Sequence, residues 1–236
     1  MRQVVFDIET TGFRFDEGHR VVEIGAVELV NGAVTGKNFH TYVNPERDMP
    51  DSAFQVHGLS SRFLSDKPLF TEAVVAPAFL EFIGEAELIA HNGVSFDVPF
   101  MNAELEAARL PKLSNKVFDT LHFARRKYPG SPASLDALCT RFGIDTSTRA
   151  RDGHGALLDS KLLAAVYIEL TGGAQAGLNF GKYGDGADGE GPRKARPRPS
   201  PLPSLVTPEE AEAHASFIAE LGPESVWAKL AGSKAS

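Results

Sequence analysis

The first residues of the chain form an apolar stretch that two carboxylates interrupt. Val4, Val5, Phe6 and Ile8 are β-branched or aromatic side chains, which predicts a buried strand. Because successive side chains of a strand point to opposite faces, Asp7 and Glu9 face the same side, with Cα atoms about 6–7 Å apart. Buried acids need compensation, and this spacing suits one metal ion or a pair of ions. An edge strand whose acids face water is the alternative interpretation.

The pattern over residues 1–172 predicts an α/β domain with a five-stranded mixed sheet flanked by helices. Strands come first and then alternate with helices, which is typical of a mixed sheet covered by helices. The predicted strands are residues 4–9, 21–30, 37–43, 87–92 and 117–120, with a turn at Asn31-Gly32 between the second and the third. Short helical turns are predicted within residues 51–66, and a longer helix within residues 68–84, with Val74 and Val75 on its apolar side. Further helices are predicted over 96–110, 120–128, 134–142 and 156–170.

Composition and charge exclude several classes of protein. Lys and Arg total 24 and Asp and Glu total 31, giving a net charge of −7, so the whole surface is not built to coat a phosphate backbone. We therefore expect any nucleic acid to be bound through metal ions and local patches. The one cysteine, Cys139, predicts no disulfide and a reducing compartment. No apolar run approaches about 18 residues, so we expect a cytoplasmic chain without a membrane span.

The composition changes at Thr171. Residues 173–204 are rich in Gly, Pro and charged residues and poor in apolar ones. Burial of so few apolar side chains cannot offset the conformational entropy lost on ordering, so we predict a flexible linker. Residues 205–236 predict a short helical tail, because Thr207-Pro208-Glu209-Glu210 is a capping-box start with Pro at the first helical position. We expect this tail to bind in the groove of a partner; folding back on the first domain is the alternative.

Two further segments carry groups able to do chemistry. Asp97 follows the fourth predicted strand, at the start of a helix. A simple N-cap without a chemical role is the alternative interpretation of this residue. His154 and Asp159 would lie about 140° apart on a continuous helix, so they would not share a face. The glycines flanking His154 instead predict a loop before the helix, with Asp159 on the first turn among leucines. A histidine that is merely solvated in that loop is the alternative interpretation.

Together these residues account for one another. Three aspartates and a glutamate offer the oxygen ligands that Mg²⁺ and Mn²⁺ prefer, and a histidine on a loop can take a proton from water near neutral pH. Two such cations would support hydrolysis of a phosphodiester. The sequence contains no zinc-type Cys/His spacing, no phosphate-binding loop motif and no serine nucleophile elbow.

These motifs, in this order, resemble the motifs of a known family. Residues 7–12, 91–97 and 154–159 resemble the three exonuclease motifs of the DEDDh 3′–5′ exonucleases. Within that family the chain is most similar to the proofreading, epsilon-type subunits of bacterial DNA polymerase III, through further blocks at residues 21–28 and 54–58. The resemblance covers residues 1–172 and implies an RNase H-like fold and removal of nucleotides from the 3′ end of DNA as 5′-mononucleotides.

The resemblance also implies roles for individual residues. Two divalent cations, Mg²⁺ or Mn²⁺, would be held by four acids, and His154 would be the general base. The metal ligands implied are Asp7, Glu9, Asp97 and Asp159, and the substrate-binding residues are Asp7, Glu9, Thr10, Ser52, His57 and Asp159. Ser52 stands where the family often carries an acid, and a half-buried, hydrogen-bonded histidine is the alternative interpretation of His57.

Two partners besides a DNA 3′ end are implied. Gln175, Leu178 and Phe180 lie in a segment, residues 175–180, that resembles the peptides by which bacterial replication proteins bind the sliding clamp. Residues 205–236 lie where the family binds the alpha, or polymerase, subunit of DNA polymerase III. Two other functions remain open: an exoribonuclease that trims RNA or oligonucleotides, and a non-catalytic adaptor between clamp and polymerase.

Overall fold

The structure, a computed structural model, describes residues 1–172, 206–222 and 226, except for the side chains of residues 150–152. The chain divides into two compact units, Met1–Leu178 and Asn179–Ser236. The predicted linker and the predicted clamp-binding residues Gln175, Leu178 and Phe180 lie outside the described residues.

The first unit is built on a five-stranded mixed sheet, which confirms the prediction. The strands are β1 Arg2–Thr10, β2 Val21–Val30, β3 Ala33–Tyr42, β4 Glu87–Ala90 and β5 Val117–Asp119, in the order β3-β2-β1-β4-β5. The first three pair antiparallel, whereas β4 runs parallel to both β1 and β5. Since β1 is the central strand, the edge-strand interpretation of its acids is wrong.

Eight described α-helices of the first unit surround this sheet. They are α1 Asp51–His57, α2 Ser61–Leu64, α3 Ala76–Ile83, α4 Asp97–Ala107, α5 Thr120–Lys127, α6 Leu135–Phe142, α7 Ser147–Asp152 and α8 Ala156–Thr171. The helix predicted within residues 68–84 is confirmed as α3 but begins after Val74 and Val75, which were predicted to belong to it. Before them, Leu69 forms a β-bridge with Asn44 and its amide donates to the Glu72 side chain. Helix α7 was not predicted from the sequence.

Each face of β1 contributes to a different hydrophobic core. Val4, Phe6 and Ile8 pack on one face in a cluster with side chains of α3 and α4. Val5 packs on the other face in a cluster with side chains of α6 and α8. Because the side chains alternate along the strand, Asp7 lies on the face of Val5, which α8 covers.

The second unit contains α9, Pro208–Glu220. The predicted capping box is confirmed, since the Thr207 side chain accepts from the Glu210 amide and the Glu210 side chain accepts from the Thr207 amide. Among the described residues, no helix combines the length and apolar character needed to cross a bilayer.

Candidate active site

The carboxyl end of β1 brings Asp7 and Glu9 to the centre of the sheet. Both side chains are half-buried. In the β1–β2 register Glu9 pairs with Glu23 and Asp7 with Gly25, so a third acid stands beside the first two. Glu23 is buried, and its Oε1 forms a hydrogen bond of 2.7 Å with Nε2 of His40. Glu23 was not among the residues predicted to belong to the site.

Gly25 allows α8 to lie directly on the sheet. A Cβ at this position would come closer than 3.0 Å to the backbone of Ala156 and Leu157, in the first turn of α8. The hydroxyl of Ser160 donates to the Gly25 carbonyl at 2.9 Å and holds the helix there. This contact places Asp159, which is buried, over the face of β1 that carries the two acids.

Asp97 reaches the same place from the parallel strand. The chain leaves β4 through Asn92, at φ 64°, and Gly93, where a Cβ would come within 3.0 Å of the Ala90 side chain. Asp97 is then the first residue of α4 and is 3 % exposed. Phe96 is the N-cap and makes no side-chain capping bond, so the interpretation of Asp97 as a simple N-cap is wrong.

Asp7 lies within electrostatic reach of the other three carboxylates. Burial, followed by the charges of Asp97, Glu9 and Asp159, raises the pKa of Asp7 well above its ordinary value. Burial and the neighbouring acids raise the pKa of Glu9 to about 8, and burial raises that of Asp97 to about 7. Burial also raises the pKa of Asp159. Such a cluster is unfavourable when ionised, which is the condition that bound cations relieve.

His154 lies on the loop between α7 and α8 and contacts this cluster. Its Nδ1 is 3.2 Å from Oδ2 of Asp159. One ligand atom each from Glu9, His154 and Asp159 lie within 4.8 Å of one another, so the three could hold a metal ion. Oδ1 of Asp159 is buried and has no hydrogen-bond partner among the described residues. The predicted loop before α8 is confirmed, and His154 is not merely solvated.

Arg149, on α7, also contacts the cluster, although the sequence did not predict a role for it. Its Nη2 donates to Oδ2 of Asp159 at 2.8 Å and to Nδ1 of His154 at 2.7 Å, and its Nη1 donates to Asp136 of α6. The stretch Ser147–Asp152 has no apolar periodicity, so no sequence signal indicated that one of its side chains enters the cluster.

A cavity of about 380 Å³ opens beside Glu9. Its lining includes Thr10, Ser52, Phe13 and Phe96, so the residues expected to bind substrate adjoin the acids. The Thr10 hydroxyl donates to the Gly12 carbonyl at 2.7 Å. The Phe13 side chain is 85 % exposed, with its ring 6.4 Å from that of Phe96. An exposed aromatic ring at the mouth of a cavity is able to stack on a base.

His57, at the end of α1, also lines this cavity. Burial lowers its pKa, and Nδ1 accepts from the Leu59 amide at 3.1 Å, so the neutral ring carries its proton on Nε2. That buried Nε2 has no hydrogen-bond partner among the described residues. The Thr10 backbone also interacts with this ring, so both the substrate-binding and the hydrogen-bonded interpretations of His57 stay predictions.

Comparison with known proteins agrees with this geometry. Residues 4–167 match the family described as exonuclease. The chain is 51% identical over 185 residues to the DNA polymerase III subunit epsilon of Rickettsia felis, covering 76% of this chain and 78% of that protein. It is 47% identical over 192 residues to the protein of the same name from Escherichia coli, covering 78% and 76%.

The fold is also similar to a solved structure of exonuclease X in complex with duplex DNA that has a 5′ overhang. The TM-score is 0.56 at 25% identity, over 72% of this chain and 90% of the other. The match to the family spans well over half of the chain, and the relatives are aligned over most of their length. The chain therefore belongs to the exonuclease family and, within it, to the epsilon subunits of bacterial DNA polymerase III.

Proposed function

We propose that the chain removes nucleotides from the 3′ end of DNA, as the proofreading subunit of a cytoplasmic replicative polymerase. The observation that carries the proposal is the convergence of four carboxylates whose pKa values are all raised. Membership of the epsilon-subunit family supports DNA as the substrate. Mismatched ends unpair at lower cost than matched ends, so selectivity would arise before the strand enters the site.

Two divalent cations, Mg²⁺ or Mn²⁺, are the proposed cofactors, and the donor set fits them. Asp7, Glu9, Asp97 and Asp159 offer hard oxygen ligands, and the unpartnered Oδ1 of Asp159 is one such ligand atom. When bound, a pair of such ions supplies activation of water and stabilisation of charge on the scissile phosphate and the leaving 3′-oxygen.

The proposed reaction is hydrolysis that releases 5′-mononucleotides, with His154 as general base. His154 is half-exposed on its loop, so its ring can take a proton from the attacking water and pass it to solvent. The terminal nucleotide would occupy the cavity of about 380 Å³, where Thr10, Ser52 and His57 offer hydrogen bonds and Phe13 offers a stacking surface. Asp7, Glu9 and Asp159 would face its phosphate.

Turnover of matched oligonucleotides tests this function. We expect the purified full-length chain to shorten single-stranded DNA labelled at its 5′ end, from the 3′ end, in Mg²⁺ or Mn²⁺ and not in EDTA. We expect RNA of the same sequence to be degraded at least about tenfold more slowly, which corresponds to roughly 1.4 kcal/mol of transition-state discrimination. RNA turnover that equals or exceeds DNA turnover would favour the exoribonuclease, and no turnover with any metal would favour the adaptor.

The segments proposed to bind partners follow the exonuclease domain, which we propose spans residues 1–172. Residues 173–204 are proposed as a linker that carries the clamp-binding segment 175–180. Residues 205–236 are proposed to bind the alpha subunit of the polymerase, and the amphipathic sequence and capping box of α9 support a preformed helix for that role.

Pull-downs separate these two partners. We expect the full-length chain to capture both the clamp and the alpha subunit, and a chain of residues 1–172 to capture neither while it keeps nuclease activity. Replacing Leu178 and Phe180 by Ala should remove clamp binding alone, because these apolar side chains would fill the clamp pocket. Capture of the alpha subunit by residues 1–172 would contradict the assignment of the tail.

A further inference from the structure

Arg149 holds two groups that the proposed reaction needs. Its Nη2 donates to Oδ2 of Asp159 and to Nδ1 of His154, at 2.8 and 2.7 Å. Its Nη1 donates to Asp136, an acid whose side chain is 66% exposed, whereas the Arg149 side chain is only 10% exposed. The guanidinium therefore joins the acidic cluster to the surface of α6.

The hydrogen bond to His154 determines where the imidazole proton lies. A guanidinium has no acceptor, so Nδ1 of His154 must accept this bond with its lone pair. The proton of the neutral ring is then on Nε2, and neither nitrogen has a lone pair left for a proton from water. While Arg149 holds Nδ1, His154 cannot act as a general base.

The hydrogen bond to Asp159 has a similar consequence. Oδ2 of Asp159 faces a guanidinium that carries one positive charge, and that charge offsets part of the rise in the pKa of Asp7 and Glu9. A divalent cation at the same acids would repel the guanidinium and compete for the same carboxylate. The two kinds of cation therefore oppose each other at Asp159.

The surroundings of Arg149 fit a contact that can break. Its Nε is buried and has no hydrogen-bond partner among the described residues, so the guanidinium is incompletely satisfied in this position. The chain after α7 passes through Gly153, at φ 85°, a conformation that few other residues adopt. Asp136 holds Nη1 while Nη2 contacts the cluster, so it is the outer anchor of this position.

We propose that Arg149 is a positioning residue that competes with the divalent cations, and that turnover requires it to leave both Asp159 and His154. This inference rests on the proposed function, since it presumes cations at the four acids. Arg149 would therefore weaken binding of the cations and block Nδ1 of His154, whereas a residue that helps to hold the metal would strengthen that binding.

Mn²⁺ binding to the full-length chain, followed by the electron paramagnetic resonance of free Mn²⁺, tests the proposal. We expect Arg149→Met to reach half-saturation at about tenfold lower Mn²⁺, the effect of losing one charge-assisted hydrogen bond as a competitor. Asp136→Asn should also lower the Mn²⁺ concentration at half-saturation, by a smaller factor, because the guanidinium loses its outer anchor. Arg125→Met, at an exposed position of α5, is the matched control and should leave it unchanged.

Nuclease rates provide the second measurement. At limiting Mn²⁺, Arg149→Met should degrade single-stranded DNA faster than the wild type, and at saturating Mn²⁺ the two rates should agree within a few fold. Unchanged or weaker Mn²⁺ binding by Arg149→Met would overturn the proposal. So would a large loss of rate at saturating Mn²⁺, since Arg149 would then assist the reaction itself.

Two controls keep the result interpretable. If Arg149→Met does not fold, as judged by circular dichroism, Asp136→Asn alone carries the test with the same criterion. Asp7→Ala identifies the Mn²⁺ that is bound at the cluster. If the wild type binds no Mn²⁺ that Asp7→Ala removes, the proposed function fails; if it does and Arg149→Met binds no tighter, this inference alone fails.

Discussion

Replacing Asp7 by Asn should abolish nuclease activity while leaving the fold intact. Asp7 contributes one of the four convergent carboxylates and interacts with the charges of the other three. An amide keeps the shape of the side chain but removes the charge that would hold a cation. We expect the rate of single-stranded DNA degradation in Mg²⁺ to fall by at least about 10²–10³-fold, the range for removing one electrostatic partner of a transition state.

The same substitution should make the protein more stable in EDTA. A carboxyl group whose pKa is raised by folding stabilises the fold below its unfolded pKa, and that contribution is lost as the pH rises through the folded pKa. Because folding raises the pKa of Glu9 to about 8 and that of Asp97 to about 7, the wild type should lose stability between about pH 4 and pH 8. Asp7→Asn removes a carboxyl group whose ionisation is made unfavourable by burial and the neighbouring acids, so its melting temperature at pH 8 should exceed that of the wild type.

Calorimetry and the nuclease assay together check this prediction. Mg²⁺ or Mn²⁺ should raise the melting temperature of the wild type more than that of Asp7→Asn, because the variant binds the ions less well. Glu81→Gln, an exposed acid on α3, is the control and should change neither quantity. Activity of Asp7→Asn equal to that of the wild type would refute the assignment of Asp7 as a metal ligand.

Replacing Gly25 by Ala should have the largest effect on stability. The added methyl would overlap the backbone at the start of α8, and backbone cannot move aside as a flexible side chain can. Overpacking of this kind costs about 1–3 kcal/mol or more, which lowers the melting temperature of a domain of this size by roughly 2–4 °C for each kcal/mol. Any displacement of α8 also moves Asp159, so the nuclease rate should fall with the stability.

Gly155→Ala is the matched control. It adds the same methyl at the N-cap of α8, where φ is −164° and the nearest atoms, the carboxylate oxygens of Glu23, are 3.8 Å away. We expect thermal unfolding of this variant to resemble that of the wild type. Equal melting temperatures for Gly25→Ala and the wild type would show that α8 does not need the close approach to the sheet.

The parts of the site that follow local rules could be predicted from the sequence. The alternation of side chains along a strand placed Asp7 and Glu9 on one side, and the central position of β1 in the sheet explains why both are partly buried. The glycines beside His154 indicated a loop before α8, and the structure confirms that loop. These inferences needed only neighbouring residues and the period of the element.

The parts that depend on contacts between distant elements could not be predicted. Glu23 is next to Glu9 only because of the register between β1 and β2, and the sequence of either strand alone does not determine that register. Arg149 reaches Asp159 through a six-residue helix without an apolar pattern. The start of α3 was placed too early, because apolar residues before Ala76 pack in irregular backbone and not in a helix.

The contact between Gly25 and Ser160 joins residues that are 135 positions apart in the chain. The fourth acid is brought to the other three by α8, the last described helix of the first unit. During synthesis, a nascent chain on the ribosome can form β1, β2 and β3 well before α8 has emerged from the exit tunnel. If the four acids act together as proposed, we expect a chain that ends before α8 to lack nuclease activity, so the activity would begin only after α8 has been synthesised.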